Sequence, residues 1–237
     1  MKAIISIFIL LPFISFGQNK NDAELWTGIS LQYDASKKLS FGYDAQTRFD
    51  KNFSNLKTFF NEIEAEYEIL NDVDFGISYR YSQRFKTDYF ENDNRIALNL
   101  SYGFKLSETG LKFKARGRYQ WGFDRLTAIN EYIYPENEYE LRLKLNLKYE
   151  NDAFKRIIPF VEYEMFKPIL DSPNINFLTA YRIAGGLKFD LVKKHEFEIS
   201  YIFDRTIQTG ETSHIYAIKY AYEITDKLFK KKKKKKK

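Results

Sequence analysis

Long stretches of strict two-residue alternation constrain this chain more than any other feature. From Leu25 to Tyr33, the residues Leu25, Thr27, Ile29, Leu31 and Tyr33 fall on one face, with Gly28, Ser30 and Gln32 on the other. The pattern recurs in eleven segments, opening near Leu25, Leu39, Phe59, Val73, Ile96, Leu111, Tyr139, Val161, Tyr181, Phe197 and Tyr216. Alternation sends successive side chains to opposite faces of a sheet, whereas a helix needs apolar residues at three-and-four spacing. Most of these segments run to roughly 10–13 residues, against about 5–6 for a typical soluble strand. At about 3.3 Å per residue and a tilt near 40°, eleven residues rise about 28 Å, close to a bilayer's hydrocarbon thickness. Hydrocarbon offers no hydrogen bonds, so a sheet crossing it must close on itself. The fold class expected is all-β, a transmembrane antiparallel β-barrel of 10–12 strands following an N-terminal signal peptide. A soluble β-sandwich would also alternate, but with shorter strands and fewer exposed aromatic faces.

The connections alternate in length. Short turns fall at 34–38, 71–72, 107–110, 151–155 and 192–194, and longer links at 50–55, 86–93, 124–137, 167–176 and 206–213. Outer-membrane barrels pair short periplasmic turns with longer extracellular loops, which places the end of the last strand in the periplasm. Tyr33, Tyr67, Tyr102, Trp121, Tyr139, Tyr149 and Tyr216 lie near segment ends on the apolar face, where aromatics favour membrane–water interfaces. Eleven segments is an odd number, and bacterial barrels normally have an even one. Twelve strands are therefore expected, with ten as the alternative. The missing strand would lie in 18–24 or in 128–134.

The ends of the chain are of a different kind. Lys2, the apolar run Ala3–Ile14 and the small residues around Ser15-Phe16-Gly17 form a signal-peptide pattern over residues 1–17, cleaved before Gln18. That run is too short for a membrane anchor. Residues 230–237 are all lysine. This run alone accounts for the net charge of +6 and the pI of 9.1, so the barrel region 18–229 is near neutral. Such a tail self-repels and is expected to be disordered, and export argues against nucleic acid as its partner. The chain lacks cysteine and has two histidines, which excludes thiolate metal sites and most metal-hydrolase constellations. No metal or cofactor is expected.

From Tyr139 onward, the order of features is distinctive. Glu140-Leu141-Arg142-Leu143-Lys144 is followed by Pro159-Phe160-Val161-Glu162-Tyr163-Glu164. Next come Tyr181-Arg182-Ile183-Ala184-Gly185-Gly186-Leu187, then Glu198-Ile199-Ser200-Tyr201, with His214 opening the last strand. With Leu25-Trp26-Thr27 and Arg48-Phe49, this resembles the domain of unknown function 2490 family. The resemblance implies an exported protein grouped with outer-membrane β-barrels, and no activity.

The polar face is expected to line the lumen. It carries an acidic ladder, Glu62, Glu64 and Glu66, and a basic one, Arg116, Arg118, Arg142 and Lys144, with Glu162, Glu164 and Arg182 beyond. Two readings are open. Acid and base on opposite walls of a narrow aqueous pore would select small polar or ionic solutes in passive transport. Alternatively, the charges pair across the lumen and close it, giving a structural or interaction barrel. A third reading is an enzyme at the rim, with His214 near Thr212, Ser213 and Asp204. A nucleophile needs a base oriented by a third group, and no other catalytic set is present. The expected partners are outer-membrane lipid, lipopolysaccharide and the barrel-assembly machinery. Tyr220-Ala221-Tyr222-Glu223-Ile224 resembles the aromatic terminal strand that machinery reads, although further residues follow it.

Overall fold

The computed structural model describes residues 21–86, 89–106, 109–126, 131–133, 139–150, 156–169, 178–192 and 194–225. The expected signal peptide and lysine tail lie outside these. Among the described residues all regular structure is β-strand: β1 (Asn21–Asp34), β2 (Leu39–Asp50), β3 (Asn55–Leu70), β4 (Val73–Phe85), β5 (Phe90–Leu106), β6 (Leu111–Leu126), β7 (Glu131–Ile133), β8 (Tyr139–Tyr149), β9 (Ile157–Pro168), β10 (Ala180–Val192), β11 (His195–Thr206) and β12 (Thr212–Thr225). Consecutive long strands pair antiparallel, β6 pairs with both β5 and β8, and β1 pairs with β12. The sheet is therefore closed.

Its wall has eleven strands rather than the expected twelve. The described residues of the two candidates, 21–24 and 131–133, add no strand to the wall. Residues 21–24 belong to β1, and β7 is a three-residue hairpin arm on Asp124–Leu126. The odd count has a geometric consequence. An antiparallel meander of eleven strands brings its first and last strands to the seam pointing the same way, so β1 and β12 pair in parallel from Asn21–Thr212 to Asp34–Thr225. Both strands start at the long-loop mouth and end at the short-turn mouth. The long side is also less loopy than the spacing implied. β5 begins at Phe90, so the expected 86–93 link shrinks to four residues, and β2–β3 is joined by four residues as well. The polar strand ends continue the hydrogen-bonded ladder beyond the apolar band.

A clasp holds the seam at the long-loop mouth. Lys51, Asn52 and Phe53 all have positive φ, which turns three successive residues tightly and projects their amides together. Asp22 of β1 accepts from the amides of Lys51 at 3.1 Å and Asn52 at 3.2 Å. Phe53 then meets the Tyr216 ring of β12 edge-on at 5.9 Å. One turn thus touches both strands of the seam. Asp22→Ala is expected to lower stability by about 1 kcal/mol, because the carboxylate's two hydrogen bonds are partly exposed. The midpoint of urea unfolding in micelles measures this, and an unchanged midpoint would remove the clasp's importance.

The expected faces are the observed ones. Ile63, Ile77, Leu100 and Val161 are each half or more exposed on the outside, while Glu62, Ser78, Asn99 and Arg118 are buried inside. Outward rings associate near the strand ends, as in Trp121 stacked with Tyr139 at 6.5 Å and Phe104 against Phe113 at 5.1 Å. Three outward asparagines interrupt the apolar phase. Each accepts a tyrosine hydroxyl: Asn61 from Tyr43 at 2.6 Å, Asn94 from Tyr79 and Asn92 from Tyr81, both at 2.7 Å. An amide facing an apolar medium is costly unless bonded, and these pairings satisfy its oxygen.

Candidate functional site

Charged side chains on the inward phase of the described strands form a series of ion pairs. Eleven strands about 4.8 Å apart, tilted about 40°, give a backbone diameter of roughly 22 Å, small enough for long side chains to meet inside. At mid-height they do. Glu62 of β3 is 6% exposed. It accepts from Arg80 of β4 at 2.5 Å and from Arg118 of β6 at 3.0 Å. Arg118 also donates to Asn99 of β5 at 2.7 Å, and Asn99 donates in turn to Glu64 at 2.5 Å. The circuit Glu62–Arg118–Asn99–Glu64 ties β3 to β6 over the intervening strands.

The remaining wall is paired in the same manner. Arg142 bonds Glu140 at 2.5 Å, Lys144 bonds Glu162 at 2.5 Å, and Asn146 donates to Glu162 at 2.6 Å. Arg182 bonds Asp204 at 2.7 Å, with Glu164 at 3.9 Å. Lys188 holds both Glu196 and Glu198, at 2.6 and 2.8 Å. The structure thus brings Glu62 together with Arg118 and Glu64, Lys144 with Glu162, and Arg182 with Glu164. Glu66 faces the lumen opposite Ser40 and Gly76, nearer the short-turn mouth. Arg116 lines a cavity of about 610 Å³ at that mouth, beside Lys112, Lys114 and Lys148. The acidic and basic ladders meet directly at Glu62 and Arg118, and through Asn99 at Glu64.

Aromatic side chains in the lumen are the element that alternation alone missed. Trp26, Phe60, Phe160 and Phe166 are buried and face inward. Guanidinium groups lie over three of these rings in sequence around the wall. Arg80 and Arg48 flank Phe60 at 4.0 and 5.0 Å, and Arg48 and Arg182 lie by Trp26 at 3.7 and 5.3 Å. Arg182 and Arg142 lie by Phe166 at 4.6 and 4.8 Å. Four arginines therefore alternate with three rings. Such contacts gain strength where water is excluded. The sequence signal was present as doubled apolar residues that break the period: Phe59-Phe60, Met165-Phe166 and Leu25-Trp26.

Further cavities lie toward the two mouths of the barrel. A cavity of about 340 Å³ at the long-loop mouth is lined by Trp26, Arg48, Phe60, Arg80, Arg95 and Arg182, among others. At the short-turn mouth a second cavity of about 420 Å³ involves Gln32, Asp190, Glu196 and Glu223. Of the two histidines, His195 lines the short-turn cavity and His214 lines none of these cavities. His214 Nδ1 meets the Tyr201 hydroxyl at 2.6 Å, and His195 Nδ1 meets the Tyr220 hydroxyl at 2.5 Å. Both are on the outward phase of their strands, whereas Ser213 and Asp204 are paired on the inward phase. The rim set of hydroxyl, histidine and carboxylate considered from the sequence is therefore divided between two faces of the wall. Among the described residues no group of three or more His, Asp or Glu could hold a metal ion.

A closed sheet, apolar without and ion-paired within, defines a β-barrel of the outer-membrane type. The chain belongs to the family of proteins of unknown function DUF2490, which matches residues 23–214. Solved structures similar to it include the translocator domain of the autotransporter NalP from Neisseria meningitidis, with 10% identity, a TM-score of 0.47, and coverage of 77% of this chain and 73% of that one. The beta domain of the Bordetella autotransporter Brka is similar at 11% identity and a TM-score of 0.41, over 79% of this chain and 82% of that one. No curated protein matches the chain.

Proposed function

We propose that this protein is an exported outer-membrane barrel whose lumen is closed at rest, and that it serves as an interaction barrel rather than an open porin. The observation that carries the reading is Glu62, buried at mid-height and shared between Arg80 and Arg118. A water-filled pore would leave these charges solvated. Here both arginines are drawn onto one buried carboxylate, and the arginine–aromatic series lies beside them. The outward apolar band and its aromatic margins support residence in outer-membrane lipid, with lipopolysaccharide around the long-loop rim and the barrel-assembly machinery as the insertion partner.

Passage of small polar solutes is a second reading, favoured by the cavities at the two mouths. In that reading Glu62, Glu64, Arg118, Arg142 and Arg182 form the barrier that must part, and Arg116, Lys144 and Glu162 line the entry on the short-turn side. Single-channel recording in a planar bilayer separates the two. The wild-type barrel is expected to show no steady openings, and the Glu62→Ala/Arg118→Ala variant is expected to conduct. Steady, ion-selective openings from wild-type protein would overturn the closed barrel and establish the pore.

A further inference from the structure

We infer that the cavity at the long-loop mouth is a binding site for a small oxyanion, a carboxylate or phosphate group held by Arg48 against Trp26 and Phe60. The inference holds whether or not the barrel conducts, since it needs only the mouth. The cavity is lined by six cationic side chains, Arg48, Arg80, Arg84, Arg95, Arg182 and Lys57, against four carboxylates. Those carboxylates are largely committed. Asp93 serves both Arg84 and Arg95, at 3.0 and 2.6 Å. Asp204 holds Arg182, and Glu24 holds Lys57 at 2.6 Å. Arg80 turns down to Glu62.

Arg48 is different. Its Nε donates to Gln46 at 2.7 Å, and its guanidinium lies over Trp26 and Phe60. Among the described residues it makes no ion pair with a carboxylate. It also shares each of those rings with another arginine, Arg182 on Trp26 and Arg80 on Phe60. Three guanidinium groups are thus held near one another by two aromatic side chains, and one of them makes no ion pair of its own, the nearby Glu24 carboxylate being taken up by Lys57 and the Trp26 indole N–H. Like charges in a partly water-excluded space repel, and an anion among them removes that cost. The planar guanidinium fork suits the paired oxygens of a carboxylate or phosphate, and ring stacking fixes its orientation beforehand. At about 340 Å³ the cavity takes on the order of ten waters' worth of liquid volume, ample for a small oxyanion. Lys57 and Arg84, 44% and 33% exposed, stand at its solvent edge and would draw anions inward.

The chain has two tryptophans, Trp26 in this cavity and Trp121 on the outer face. Trp121→Phe therefore leaves a single reporter at the site. The experiment titrates the refolded full chain bearing that change with sodium phosphate and with sodium acetate, at constant ionic strength made up with chloride. A saturable change in Trp26 fluorescence is expected. Arg48→Gln should weaken it at least tenfold, Arg48→Lys should weaken it less, and Lys105→Gln, at the opposite mouth, should leave it unchanged. Should Arg48→Gln fail to fold, Arg48→Lys decides. Repeating the titration in micelles with and without lipopolysaccharide identifies the source. Saturation by inorganic phosphate in both assigns a soluble oxyanion, and loss of the response when lipopolysaccharide is present assigns its headgroup phosphate. A response no greater than that to chloride, or unchanged affinity in a folded Arg48 variant, overturns the site.

Discussion

Glu62→Ala is expected to destabilise the barrel by about 3–5 kcal/mol, the range for removing one partner of a buried ion pair. Glu62 is shared by Arg80 and Arg118, and their side chains are 18% and 8% exposed. Its removal leaves two guanidinium groups facing each other in the lumen. Arg118 keeps Asn99 as an acceptor and Arg80 keeps the Phe60 ring, but neither offers a negative charge. The cost therefore arises from uncompensated charge and not from a lost contact alone. Glu62→Gln retains an acceptor oxygen and should cost less. Replacing Glu62, Arg80 and Arg118 together by methionine removes all three charges, and should recover most of the loss. The measurement is the urea unfolding midpoint of each variant in the same micelle, with the heat-dependent gel shift confirming a folded starting state. If Glu62→Ala unfolds within about 1 kcal/mol of wild type, water already solvates these arginines, and the closed-lumen reading fails with it.

Alternation made the wall legible. Side-chain period fixes which residues face lipid and which face the lumen, and Leu98, Leu100 and Tyr102 could be assigned from spacing alone because a one-residue slip would turn all of them inward. Closure was harder to read. Whether a meander closes after eleven strands or twelve depends on the β1–β12 pairing, which is parallel and leaves no hairpin turn in the sequence to announce it. The lumen was partly legible. Glu62, Arg118 and Arg182 were identifiable as inward charges, yet their partners were not, because the Glu62–Arg118 contact depends on barrel curvature bringing β3 near β6. Trp26, Phe60 and Phe166 were hidden for a different reason. They break the apolar/polar rule of their own strands, and only their packing beneath Arg48, Arg80 and Arg182 explains why rings belong in a polar phase.

The neighbouring glycines Gly185 and Gly186 are expected to respond oppositely to the same added methyl group. Gly186 faces the lumen between β9 and β11. A Cβ there would lie 2.5 Å from the Ile199 carbonyl oxygen, 2.7 Å from Ser200 Cβ and 2.8 Å from Phe160 Cζ. The first contact is with backbone of the adjacent strand, which cannot yield without disturbing the β10–β11 ladder. The last is with a buried ring that occupies the space a side chain would take. Gly186→Ala should therefore cost about 1–3 kcal/mol by overpacking, and Gly186→Val more, leaving little heat-modifiable barrel. Gly185 points outward with no atom within 4 Å of its would-be Cβ, so Gly185→Ala should be close to neutral. Phe160→Ala tests which contact dominates. If the ring is the obstacle, Gly186→Ala/Phe160→Ala should be no less stable than Phe160→Ala alone. If the Ile199 carbonyl is the obstacle, the penalty of Gly186→Ala should persist in the Phe160→Ala background. The second result is expected, because a phenyl ring can tilt aside while a hydrogen-bonded carbonyl in a closed sheet is held from both sides. Equal folded yields for Gly185→Ala and Gly186→Ala would contradict this packing of β9, β10 and β11.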